Sequence, residues 1–183
     1  MILAMKSIGF WVYRSSLLIA IEMTLAATFS LLLGSWLGHY LKIDQVIVGG
    51  LWSVISTILV IQATNQEAFS AAWLRILGSL IGAILAGILV GAFSYHLWVF
   101  SVGIFISVII CALAKLNNAM RLSCITFAII LVIGELTPQM NPWLNSAGRF
   151  LESLVGVIIA LIIALPLKPV RKKLRLAYEL NTK

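Results

Sequence analysis

The sequence predicts an all-α membrane protein, a polytopic bundle of about six transmembrane helices built as a 3+3 inverted repeat. Three observations lead there. Of the 183 residues, 62% are hydrophobic and only 10% are charged, and the mean hydropathy is +1.09. A soluble domain of this size cannot bury that much apolar surface. The apolar runs are continuous and not alternating, which selects helices over a β-barrel, because in lipid each span must satisfy its own backbone. Finally, the chain repeats itself. Arg75-Ile76-Leu77-Gly78-Ser79-Leu80-Ile81-Gly82 falls on Arg149-Phe150-Leu151-Glu152-Ser153-Leu154-Val155-Gly156 at an offset of 74, followed by Ile84 on Ile158 and Ala86 on Ala160. Upstream, Ile58-Leu59-Val60-Ile61 falls on Ile130-Leu131-Val132-Ile133 at an offset of 72, so a two-residue loop insertion in the second half reconciles the two.

The elements follow in order. Residues 1–15 form a cytoplasmic or interfacial N-terminus, with Phe10-Trp11-Val12-Tyr13-Arg14 as an aromatic anchor. A membrane domain covers 16–167, its halves being about 16–95 and 96–167. The first span is about Leu17–Leu37, too long for a signal-peptide core and without a convincing cleavage site, so an uncleaved helix is expected. The second, about Val46–Ala63, is short and holds Gly49-Gly50. The third covers about Leu74–Phe93, and a tight turn at Tyr95-His96 leads to the fourth, about Leu97–Leu113. The fifth, about Leu122–Leu136, is again short. Thr137-Pro138-Gln139-Met140-Asn141-Pro142 reads as a loop, and the sixth span runs from about Phe150 to Leu165, ending at Pro166. Residues 168–183 are a basic tail suited to anionic lipid headgroups.

Lys6, Arg14, Arg75, Lys115, Arg121 and the tail fall on one side, against Lys42 and Arg149 on the other. Positive residues collect in the cytoplasm, so both termini are expected inside. Each half holds three spans, an odd number, so the second half is inserted upside down. Secondary transporters use such inverted repeats to alternate access. Duplication retained only for packing is the other reading. Cys111 and Cys124 lie in apolar runs as small packing residues, and His39 and His96 are too few for a metal centre. No catalytic triad, phosphate loop or paired carboxylate pattern stands out, so neither an enzyme, a cofactor nor a nucleic-acid partner is expected.

Trp52 in a glycine-bearing helix, Thr57-Ile58-Leu59-Val60-Ile61-Gln62, Arg75-x-x-Gly78-Ser79-x-x-Gly82 and the closing Arg149-x-x-Glu152-x-x-x-Gly156 with Pro166 resemble the fusaric acid resistance and aromatic acid exporter family of bacterial inner-membrane proteins. The resemblance spans about Ser16–Pro169. It implies proton-driven efflux of aromatic acids or related toxic compounds from the inner membrane, with a periplasmic adaptor as a partner. Members often carry two such hydrophobic blocks where this chain has one, so a homo-oligomer, most simply a two-fold dimer, is expected.

Several residues stand out for chemistry. Glu22, an acid inside the first span, is either a proton-coupling group or half of a structural pair with Arg14 or Arg75. Arg75 and Arg149 open their spans and are suited to gripping an anionic substrate through a guanidinium–carboxylate fork, or else to contacting headgroups. Glu135 and Glu152 bracket Arg149, and Glu67 precedes Arg75. Trp52, Ser53, Ser56 and Thr57, with Ser79, Ser123, Thr126 and Glu135, are expected to line a site at the repeat interface, marked by the two short spans. Gly78, Gly82, Ala83, Gly87, Gly91 and Gly156 provide smooth faces for helix packing, and the Ala83–Gly87–Gly91 face offers a second copy a place to dock. The reading is a transporter module for small aromatic or amphipathic organic acids. Its competitor is a non-transporting membrane subunit that stabilises or recruits a partner protein.

Overall fold

The computed structural model describes residues 2–42, 46–61 and 65–181, with side chains described for 17–42, 46–61, 67–167 and 169. The aromatic anchor at 10–14, Glu22's expected partner Arg14 and the basic side chains of the tail therefore lie outside the described side chains. Six helices follow in order: α1 (Ile2–Tyr40), α2 (Val46–Val60), α3 (Asn65–Phe93), α4 (Leu97–Leu113), α5 (Met120–Leu136, entered through a 3-10 turn at Asn117–Ala119) and α6 (Pro142–Asn181). No strand occurs among the described residues. Four segments are long and apolar enough to cross a membrane: Leu17–Tyr40, Glu67–Phe93, Asn117–Leu136 and Pro142–Leu167. The other two helices, α2 and α4, have 15 and 17 residues, about 22–26 Å of helix against a hydrocarbon core of about 30 Å.

Local chemistry sets the ends. Lys42, Ser94 and Lys115 take φ of 53°, 59° and 57°, the left-handed conformation that stops a helix by turning its last carbonyls inward. Beyond α4, the Lys115 N–H donates to the Ala112 carbonyl at 3.0 Å. The start of α6 is capped by the Asn141 side chain, whose Oδ1 accepts from the Trp143 N–H at 2.9 Å, and Pro142 takes the first helical position, where no N–H is needed.

These ends correct four expectations. The third and sixth helices begin at Asn65 and Pro142, well before Leu74 and Phe150. Arg75 and Arg149 therefore sit inside their helices and do not open them. The sixth helix continues through Pro166 and Pro169 to Asn181, and its apolar part is complete at Leu167. The expected pair of short spans also changes: α2 and α4 are the two short ones, since the 3-10 turn extends the fifth span to 20 residues.

The core is a crossing of α3 and α6. Trp143 of α6 lies over Gly87 of α3, the Ser79 and Ser153 hydroxyls meet further along, and Ala72 shares an apolar cluster with Ala160 beyond that. As the α3 numbers fall the α6 numbers rise, so the two helices run antiparallel. Glycines bring in the next pair. A Cβ on Gly82 of α3 would strike Ser123 and Thr126 of α5, and one on Gly156 of α6 would strike Ser53 and Ser56 of α2. Accordingly α5 packs on α3 and α2 on α6, with α1 against α2 and α6 and α4 mainly against α5.

One apolar cluster, including Ala86, Val90, Val99, Phe127 and Ile130, fills the α3–α4–α5 side, and another, including Ala26, Val60, Ala72, Val157 and Ala160, fills the α1–α2–α6 side. Large apolar residues such as Leu32, Trp36, Phe105 and Ile162 point outward, as a lipid-facing surface requires. The Ala83–Gly87–Gly91 face, expected to receive a second copy, is largely used within the chain. Ala83 is buried, and Trp143 covers Gly87 and reaches Gly91. An aromatic ring from α6 takes the close approach those small residues allow.

Candidate functional site

A bundle in lipid has no solvent to satisfy buried polar atoms, so polar side chains deep in the spans need an explanation. Here they converge on the α3–α6 crossing. Ser79 stands midway along α3, and its hydroxyl lies 2.9 Å from that of Ser153. The Ser56 hydroxyl of α2 reaches Ser153 at 3.1 Å and accepts from Arg75 Nε at 3.0 Å. Around this line, Ser53 donates to the Glu152 carbonyl at 2.7 Å and Thr57 to the Gly156 carbonyl at 2.9 Å, while Ser30 of α1 bonds to Thr57. The serine and threonine spacing on α2 places 53, 56 and 57 on the face toward α6, one helical stripe. All of these residues are buried.

Two arginines flank the crossing. Each is four residues ahead of its serine, about 6 Å along the axis, and because the helices are antiparallel they lie on opposite sides of it. Both are 0% exposed. Both therefore point into the bundle and away from its outer surface.

Their surroundings differ. Arg149 Nη1 lies 2.9 Å from Glu152 Oε2, an ion pair with both side chains fully buried, while Arg149 Nε and Nη2 are, like the Arg75 Nη atoms, buried without a hydrogen-bond partner. The Glu152 carboxylate rests against Gly49 of α2, where any Cβ would overlap it. Arg75 makes one hydrogen bond, to Ser56, and stacks over the Trp52 ring at 4.5 Å from its centroid. Its Nη1 and Nη2 are buried with no hydrogen-bond partner, and no carboxylate pairs with it among the described residues. The cation–π contact and the one hydrogen bond leave the other two nitrogens of the guanidinium unsatisfied.

Trp52 is also shared with a second feature. An apolar recess of about 440 Å³ lies between α2 and α5, with Trp52, Ile55, Phe100, Ile129 and Ile133 among its walls. Its size falls within the range of small-ligand pockets. Trp52 is the residue the two features share: it lines the recess and lies under the Arg75 guanidinium, which is not itself among the recess walls.

The remaining expected residues are placed as follows. Trp52, Ser53, Ser56, Thr57, Ser79, Arg75, Arg149 and Glu152 come together at the crossing, with Ser123 and Thr126 buried under Gly82. Glu22 is buried on α1, one turn before Ala26 of the apolar cluster that also holds Val60 and Ala160. Glu135 is exposed at the end of α5, and Glu67 is exposed near the start of α3; neither joins the arginines. Asn145 is an unanticipated member. It is fully buried one turn before Arg149, and its Nδ2 donates to the Ile130 carbonyl at 3.1 Å. Its spacing of four from Arg149 was the available signal. In the turn before α4, burial pushes the Tyr95 hydroxyl's pKa up.

A helical multi-pass membrane protein with a buried polar centre on the axis of its bundle is a transporter-like architecture. The chain belongs to the fusaric acid resistance protein-like family, which matches residues 25–163. No curated protein and no solved structure matches it.

Proposed function

We propose that the chain is a transporter module that exports small aromatic or amphipathic organic acids from the bacterial cytoplasm across the inner membrane, coupled to protons. The observation that carries this reading is Arg75: a buried guanidinium with two unpartnered nitrogens, stacked on Trp52 beside an apolar recess. A carboxylate meets the first need by a bidentate fork, and an aromatic ring meets the second by stacking. Fusaric acid, in the name of the family, has both parts. A non-transporting subunit has no use for such a site.

Alternating access follows from the two halves taken as inverted repeats. The antiparallel α3–α6 crossing, and the aligned glycines Gly82 and Gly156 packing on α5 and α2, support that relation. Exchanging the two packings would open the centre to one side and then the other. Glu22, an acid buried within the first span, is the group suited to carry protons. With the buried arginines removed from the loop count, exposed Lys115 and Arg121 still outnumber Lys42, which supports cytoplasmic termini. We further place two copies in the working unit, through a lipid-facing surface other than the Gly87 face, with a periplasmic adaptor as a partner. Mass measured in lipid nanodiscs decides the copy number, and a monomer that transports would defeat the dimer.

The test is protection of cells. Expression should raise tolerance to fusaric acid and benzoic acid, and Arg75→Gln at equal membrane abundance should abolish the gain. Equal protection by the variant would remove Arg75, and this reading, from consideration.

A further inference from the structure

The offset that aligns the two arginines exposes a difference between the halves that bears on the substrate. Position 152 aligns with position 78, so where the second half has Glu152 the first has Gly78. Among the described residues a carboxylate reaches Arg149, at 2.9 Å, and none pairs with Arg75. Packing enforces both choices. A Cβ at Gly78 would collide with Leu122 and crowd the Ala119 carbonyl of α5, so no side chain fits there. The Glu152 carboxylate is held in a notch made by Gly49 of α2 and Gly38 of α1, with Arg149 on its own helix as the charged group against it. The neighbouring His39 of α1 is exposed.

Of two equivalent cationic positions, one is therefore filled from within. Resting on the reading of Arg75 as an anion grip, we infer that Glu152 acts as a built-in occupant of the second anion position, so that the module accepts monocarboxylates and rejects dicarboxylates. A ligand with one carboxylate neutralises Arg75 and leaves the centre balanced. A second carboxylate finds Arg149 already paired and is buried without a counter-charge, which is strongly unfavourable in a membrane interior. Removing the charge of Glu152 frees Arg149 as a second grip.

The experiment uses the purified full chain in nanodiscs at neutral pH and reads displacement of radiolabelled benzoate by unlabelled benzoate and by α,ω-dicarboxylates from succinate to suberate. In the wild type every dicarboxylate should be at least tenfold weaker than benzoate. In Glu152→Gln the ratio for at least one chain length should shift by tenfold or more toward the dicarboxylate, and Glu152→Asp should retain the wild-type preference. A wild type that binds any of these dicarboxylates as tightly as benzoate overturns the inference without recourse to a variant. So does a folded Glu152→Gln protein whose ratio is unchanged. If benzoate binding survives Arg75→Gln, or the wild type binds no carboxylate, the reading of Arg75 itself fails and this inference falls with it. An Arg75-dependent benzoate site indifferent to Glu152 defeats the inference alone.

Discussion

The hydroxyls of Ser79 and Ser153 meet at 2.9 Å, and the two residues are 74 positions apart, the same offset that carries Arg75 onto Arg149. If the halves are the inverted repeat proposed above, a residue touching its own repeat counterpart would lie on the axis relating them. The polar centre is therefore at the one place in the bundle where both halves contribute the same side chain. Breaking this pair should be felt from either side alike. Ser79→Ala and Ser153→Ala should each destabilise by about 1 kcal/mol, and the double variant by about 0.5–1 kcal/mol less than the sum, since the second change removes a partner already lost. Thermal unfolding in detergent across the four proteins measures this. Strict additivity would mean the two hydroxyls do not interact.

The glycines divide sharply by what faces them. At Gly156 an added Cβ would meet the Ser53 backbone carbonyl, which cannot rotate away, whereas at Gly91 the nearest atom is Trp143 Nε1 at 3.5 Å. Gly156→Ala should cost about 1–3 kcal/mol through displaced helices, while Gly91→Ala should stay within about 0.5 kcal/mol. Yield of folded protein and unfolding temperature report both. Equal tolerance at the two positions would contradict the close α2–α6 approach.

Glu22 tests proton coupling separately from substrate binding. Its side chain is 1% exposed within the first span. Glu22→Gln should insert at normal abundance yet lose transport driven by a proton gradient. If it is only structural, abundance or thermal stability falls and the rate per molecule holds. An unchanged rate per molecule removes Glu22 from the mechanism.

Orientation has its own check. Reporter fusions after Lys183 and near Asn141 should report opposite sides of the membrane, cytoplasmic and periplasmic respectively. One span, α6, separates the α5–α6 loop from the C-terminus, so a shared location would sink both the orientation and the inverted repeat.

The helical class and the number of helices were legible in the sequence because continuous apolar runs leave a chain in lipid few alternatives. The depth of the arginines was not. Hydropathy alone starts a span at the first strongly apolar residue, which sets the third at Leu74 and the sixth at Phe150 and strands both arginines at an interface. Yet α3 begins at Asn65, and α6 begins behind an Asn141 cap with Pro142 in the first turn, a readable helix start that hydropathy ignores. With those starts, Arg75 and Arg149 stand two to three turns inside their helices, and their meaning changes. The acids show the other limit. Glu135 and Glu152 both stand near Arg149 in a hydropathy plot, but only Glu152, three residues on along the same helix, faces it, whereas Glu135 is exposed on α5. Which residues share a helix face is local and periodic. Which faces meet depends on tertiary packing, and here on where glycines permit close approach.

The central claim is that Arg75 holds the carboxylate of a transported acid against Trp52. Its most direct measurement is efflux of radiolabelled benzoate from proteoliposomes carrying the purified chain under an imposed proton gradient. The wild type should export benzoate, and Trp52→Phe, which keeps an aromatic ring, should retain more activity than Trp52→Ala. Losing the charged hydrogen bonds, worth about 1.5–3 kcal/mol, should lower the rate of Arg75→Gln by about 10- to 100-fold, with Arg75→Lys in between because an ammonium keeps the charge without the fork. Efflux by Arg75→Gln at the wild-type rate would contradict the account.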